Sequence, residues 1–271
     1  MDKLIDRVKT LNAKLEKYKI DCQENEFLLS SEDKISKLNI LLDCMVEEST
    51  VDDQKLILKE YTQALMDLTF FQEGVLVEKE FSSETAETEV LSILDAFIEV
   101  EQFCIEIVNS DVEEVVGIEL VECLHWRKGA LLYMYCNIRT RNETWIKNHQ
   151  DEFFKFLSRG VEYLKIMLST RDVIRVDSKD EQDTLKLLQH GIFSDTHMLA
   201  LMYGAEMCYW YVYYTKLWNN NEDTIVQNTS TLQHTGVELL QLYMKMVEGP
   251  LSGLGWNCDR ARELLDYLIA S

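Results

Sequence analysis

Proline is almost missing from this chain. Its 271 residues contain one, Pro250, where ordinary usage of about 5% would supply more than ten. Glycine is sparse as well, ten residues against a usual ~7%. With the two residues that most often interrupt helices nearly withheld, long helices are expected. No CxxC pair occurs either. The seven cysteines, an odd number, sit mostly in apolar helical runs such as FCIEIV and LYMYC and read as reduced core residues. No apolar leader opens the chain: MDKLIDRVKTLNAKL is charged and amphipathic. NET at Asn142 and NTS at Asn228 are therefore taken as chance sequons, and the expected compartment is the cytosol.

Positive charge is scarce. Lys and Arg number 27 against 48 Asp and Glu, a net charge of −21 whose field repels phosphate backbones and anionic lipids, so a nucleic-acid partner is not expected. The deficit is uneven. From Glu80 to Trp126 there are thirteen acidic residues and no Lys or Arg, while from Arg127 to Arg175 basic residues outnumber acidic ones. Glu84, Glu87, Asp95, Glu99 and Glu106 can share the outward side of one helix, which makes them a candidate partner surface. The competing readings are a merely solvated face, or one neutralised by packing beside the net-basic segment.

Catalytic signatures are missing too. There is no GxxxxGK[ST], GxGxxG or GxSxG, and His125, His149, His190, His197 and His234 show no HExxH or HxH spacing, so no cofactor or metal is implied. DSKDEQD at 177–183 lacks the glycine and terminal glutamate of a calcium loop and reads as a solvated helix start. Asp52 and Asp53 lack the further acid of a metal-binding aspartate motif and read as helix N-terminal charge.

What the chain does have is apolar residues at three- and four-residue spacing almost throughout. Helices are predicted over 2–20, from Ser30 or Ser31 to 48, 53–72 with Gly74 as stop, 83–109, 111–138, and 143–169 after the cap candidate Asn142. A loop at 171–180 and a short helix to His190 follow. The next helix starts at Ser194 or Asp195, a mobile loop is expected at 219–231, and two helices close the chain at 232–247 and 258–269. No repeat and no dividing linker is evident, so the expected architecture is one all-α domain, 1–271, of about nine or ten helices.

Two segments are apolar around their whole circumference: GALLYMYC at 129–136, and MLALMYGAEMCYWYVYYTKLW at 198–218. The second is long enough to span a bilayer, but Glu206 near its middle and tyrosines throughout argue for a buried helix of a soluble bundle instead. Gly129, Ala130, Ala200, Gly204 and Ala205 would let the two segments approach closely as a buried central pair. Glu206 must then find a partner. Arg127 or Lys128 is the expected cation, with tyrosine hydroxyls the alternative, in a buried polar network.

Four blocks resemble a known family. EYTQALMDLTFFQE (60–73), ECLHWRKGALLYMYC (122–136), GIFSDTHMLALMYGAEMCYW (191–210), and EGPL with WN (248–251, 256–257) are similar to the Rab-interacting accessory subunit of the Mon/Ccz complex, the exchange factor for the late-endosomal Rab GTPase. The resemblance implies a non-enzymatic cytosolic adaptor whose partners are that Rab and the Mon/Ccz complex. It also implies support of Rab stability, and recruitment to damaged mitochondria in mitophagy or to late endosomes through those partners. It carries over no catalytic or binding residue. Two readings from other classes stand beside it. One is an all-helical enzyme with a pocket around Glu206, Tyr203 and Tyr209 and no basic partner. The other is a generic peptide-binding helical scaffold with a polar concave groove.

Overall fold

Where the sequence withholds helix breakers, the chain runs as helices. The computed structural model describes residues 2–20, 22, 24–43, 50–171, 195–218 and 223–271, and among these it contains eleven α-helices, one π-helical turn and no strand. The short helix expected to end at His190 lies outside the described residues, as does the 171–180 loop beyond Arg171. The chain divides into two compact units, 1–124 and 125–271, with the division falling inside a helix.

The first unit holds α1 (Asp2–Lys19), α2 (Glu26–Asp43), α3 (Val51–Glu78), α4 (Ala86–Phe103), the π-helical turn Cys104–Val108, α5 (Val112–Val116) and the opening turns of α6 (Ile118–Arg139). α1 buries Leu4, Val8, Leu11 and Leu15, the stripe its periodicity predicts. α2 starts earlier than expected, because Asn25 Oδ1 accepts the N–H groups of Phe27 and Leu28 and so caps the helix. Ser31 therefore falls inside the helix, fully buried, and donates to the Ala64 carbonyl at 3.1 Å. α2 and α3 run antiparallel, tied by Lys34 to Asp67 and Lys37 to Glu60.

α3 opens on a capping box. Thr50 Oγ1 accepts the Asp53 N–H at 3.2 Å, and the Asp53 carboxylate accepts the Thr50 N–H at 3.1 Å. The helix runs through Gly74, the expected stop, since a lone glycine costs a helix only about 1 kcal/mol. It ends instead just before Glu80 and Phe81, both with left-handed φ (47° and 49°), where the Phe81 ring is buried. Gly117, at φ 92°, splits the expected 111–138 helix into α5 and α6.

The second unit holds the rest of α6, then α7 (Glu143–Asn148), α8 (Gln150–Thr170), α9 (Asp195–Leu217), α10 (Asp223–Glu248) and α11 (Asp259–Ala270). Asn142 caps α7 by accepting the Trp145 N–H at 3.0 Å, but the expected 143–169 helix is interrupted at His149. The segment expected as a loop at 219–231 is helical from Asp223 onward, and 219–222 lie outside the described residues. α9, the tyrosine-rich stretch, packs against α8, α10 and α11. No helix among the described residues is long and apolar enough to cross a membrane.

The two apolar segments do touch, through stacked rings. Tyr133 of α6 stacks on Tyr203 of α9 at 3.7 Å between centroids and 6° between planes; Trp126–Tyr203 and Tyr133–Trp210 extend the stack at 5.8 and 5.5 Å. The glycines admit other helices. A Cβ on Gly129 would meet Leu164 of α8 at 2.5 Å and the Gly160 carbonyl at 3.3 Å; one on Gly204 would meet Leu239 of α10 at 2.9 Å. Both segments contribute to the interior as expected, and the close approach at Gly129 comes from α8.

Candidate functional site

The acidic residues at 84–106 lie in the first unit, on α4 and its flanking turns. Glu84, Asp95 and Glu106 are exposed, and Glu87 and Glu99 are half-buried. α1 lies antiparallel to α4 and supplies cations. Arg7 bonds Glu99, and Lys3 reaches Glu106 at 3.3 Å. Between the two helices is a cleft of about 330 Å³ whose lining includes Arg7, Thr10, Lys14, Ser92, Asp95 and Glu99. Lys14 lies 3.5 Å from the Ser92 hydroxyl, and burial, then the neighbouring Arg7 charge, lowers its pKa. So the acidic stripe is partly neutralised by the N-terminal helix. Glu84 and Asp95 remain its outward charges.

The second constellation is centred on Glu206, with a side chain only 14% exposed. Its carboxylate accepts the Tyr133 hydroxyl at 2.6 Å and Arg260 Nε at 3.1 Å. The cation is therefore Arg260, at the start of α11, and neither Arg127 nor Lys128. Those two are buried, 6% and 0% exposed, and held by interactions of their own; Lys128 Nζ lies 5.2 Å from the Tyr163 ring centroid. The tyrosine alternative is realised by Tyr133. Burial, then the Glu206 hydrogen bond, pushes the Tyr133 phenol well above its ordinary range; Tyr203 is raised by burial and then by the Glu206 charge. Arg260 also donates to Glu263 at 3.2 Å and lies 5.8 Å from the Tyr209 ring centroid. Tyr209, Tyr213 and Tyr267 form a contiguous ring cluster beside it.

This arrangement satisfies a carboxylate; it does not free one. A general acid or base at Glu206 would need a proton to exchange with substrate, yet both its neighbours are donors fixed on it. The basic partner that the enzyme reading requires to be missing is present. The described cysteines are all free thiols, and burial pushes Cys104 up to about 11, away from nucleophilic use. Among the described residues no group of three His, Cys, Asp or Glu could hold a metal ion.

Sequence reasoning missed Tyr133 and Arg260. Arg260 stands 54 residues from Glu206, in a helix whose amphipathic spacing gives no hint of a distant acid. Tyr133 is one of many tyrosines in an apolar run, and nothing local marks its hydroxyl as bonded.

The family model described as RAB7A-interacting MON1-CCZ1 complex subunit 1 matches residues 27–269. A curated zebrafish (Danio rerio) protein of that name is 34% identical over 268 residues, covering 97% of this chain and 95% of its own length. The human and mouse proteins of the same name are 33% and 34% identical, each covering 90% of this chain and 87% of their own length. No solved structure matches the chain significantly. α1 precedes the matched segment of the family model, while the Glu206 constellation and the acidic residues of α4 lie inside it. On matches of this extent, the chain belongs to the RAB7A-interacting MON1-CCZ1 complex subunit 1 family.

Proposed function

We propose that this protein is a non-catalytic subunit that associates with the late-endosomal Rab GTPase and its MON1-CCZ1 exchange factor. The observation that carries the reading is the near full-length match to relatives whose names state those two associations. A match across both compact units makes a shared role of the whole chain the simplest account. The structure adds support on the negative side, since Glu206, the carboxylate within the apolar run of α9, is committed to Tyr133 and Arg260. In this reading the protein works in the cytosol, reaches late endosomes and damaged mitochondria through its partners, and supports Rab stability there. The acidic stripe of α4 acts at long range through its outward charges Glu84 and Asp95, attracting basic surface on a partner and raising the encounter rate.

The test is reciprocal capture. Tagged full-length protein is expected to retain RAB7A, MON1 and CCZ1 from cell extract, and tagged MON1 to retain this chain. Failure in both directions at low salt would refute the reading.

A further inference from the structure

A half-buried tyrosine face runs along α9 in the second unit. Tyr203, Glu206, Tyr209 and Tyr213 follow one another at helical spacing on the side of α9 left half-buried, a run of about 15 Å at 1.5 Å per residue. The Tyr133 ring of α6 stacks on Tyr203 at one end of this face, and Arg260 and Tyr267 of α11 lie beside Tyr209 at the other. The tyrosines are fixed by each other: Tyr209 and Tyr213 stack at 5.8 Å, and Tyr267 meets Tyr209 edge-on at 4.9 Å. Rigid, half-buried tyrosines with an arginine at their edge are the composition of protein-binding hot spots, where large rings bury area at little entropic cost.

We infer that this face is a docking surface for an arginine-bearing segment of a protein partner. The inference rests on the proposed adaptor function and assigns it a surface. Arg260 shows what the tyrosine floor accepts, since its guanidinium lies over the Tyr209 ring while its Nε bonds a carboxylate. Charge completes the argument. Arg260 is shared by two acids, Glu206 and Glu263, so that group of three carries one negative charge in excess. Glu263 is 69% exposed at the rim, open to a second cation. The net charge of −21 selects against anionic membranes and nucleic acid as occupants and favours a basic protein segment.

The experiment measures binding of purified full-length protein to immobilised MON1-CCZ1 complex and, separately, to the Rab. Tyr213→Ala is expected to weaken binding to one of them by about ten-fold, chiefly through faster dissociation, and Tyr213→Phe to stay near wild type. Glu263→Arg, a change at an exposed rim position, is expected to weaken the same interaction and keeps the test intact if Tyr213→Ala does not fold. Wild-type binding that neither Tyr213→Ala nor Glu263→Arg alters, with both shown folded, overturns the docking face and leaves the adaptor reading standing. Loss only when Glu84 and Asp95 are reversed to lysine also overturns it, by putting the anchor on the first unit. No binding by the wild type overturns both readings.

Discussion

Glu206 shows how one misplaced-looking residue is made tolerable. A carboxylate in an apolar helix is stabilised by a phenol from α6 and a guanidinium from α11, so a single side chain ties three helices. Arg260→Met should cost about 1–2 kcal/mol, less than a fully buried pair because Arg260 is half exposed. Paired with Glu206→Gln in a urea-unfolding cycle, the two changes should be clearly non-additive; additive costs would mean that the pair is idle. Tyr133 adds a pH dependence. Its folded-state pKa is raised, by burial and then by Glu206, so the fold holds its proton more tightly than the unfolded chain. That stabilisation is complete below the ordinary phenol pKa of about 10 and is lost as pH rises beyond it. Stability should therefore fall above pH ~10, and fall less steeply in Tyr133→Phe, whose baseline at pH 7 is lower by about 1–3 kcal/mol for the lost bond to a charged acceptor. Equal slopes in the two proteins would assign the alkaline loss to other groups.

At the level of elements, periodicity and the Asn142 cap were legible, while the α2 cap and the terminations were not. The α1 stripe, the Asn142 cap and the central place of the tyrosine-rich helix all follow from local spacing. Gly74 and Gly117 look alike in sequence, yet one sits inside α3 and the other breaks the chain at positive φ, because the neighbouring packing decides which conformation a glycine takes. The same contrast gives an experiment. Gly74 is helical and exposed with open space around it, so Gly74→Ala should stabilise by about 0.5–1 kcal/mol. Gly129→Ala, driven into Leu164 and the Gly160 carbonyl, should destabilise by about 1–3 kcal/mol. Thermal unfolding of both variants checks this, and a stabilised Gly129→Ala would mean that α6 and α8 are not in close contact. Local sequence could not show that α8 is what Gly129 admits, because that contact joins residues 35 apart.

For the whole molecule, the sequence made the all-α class plain through its missing prolines and repeating apolar spacing. It gave no sign of the division into two compact units, because the division falls inside α6, where no linker composition could mark it. The charge asymmetry was also visible, but its partial neutralisation by Arg7 and Lys3 was not, since both lie some ninety or more residues from their acids. Glu99 is therefore a poor probe of the acidic stripe, as reversing it would set a lysine beside Arg7. Glu84→Lys with Asp95→Lys changes the exposed charges alone. This pair should slow association with the partner complex several-fold at low salt and have little effect at high salt, with dissociation unchanged; an unaltered association rate would remove the stripe from the encounter. The most direct test of the adaptor account is sedimentation of purified full-length protein mixed with purified MON1-CCZ1 complex and Rab at micromolar concentration. The account predicts a faster-sedimenting species containing this chain in fixed stoichiometry with at least one of them, and independent sedimentation of every component at low salt would contradict it.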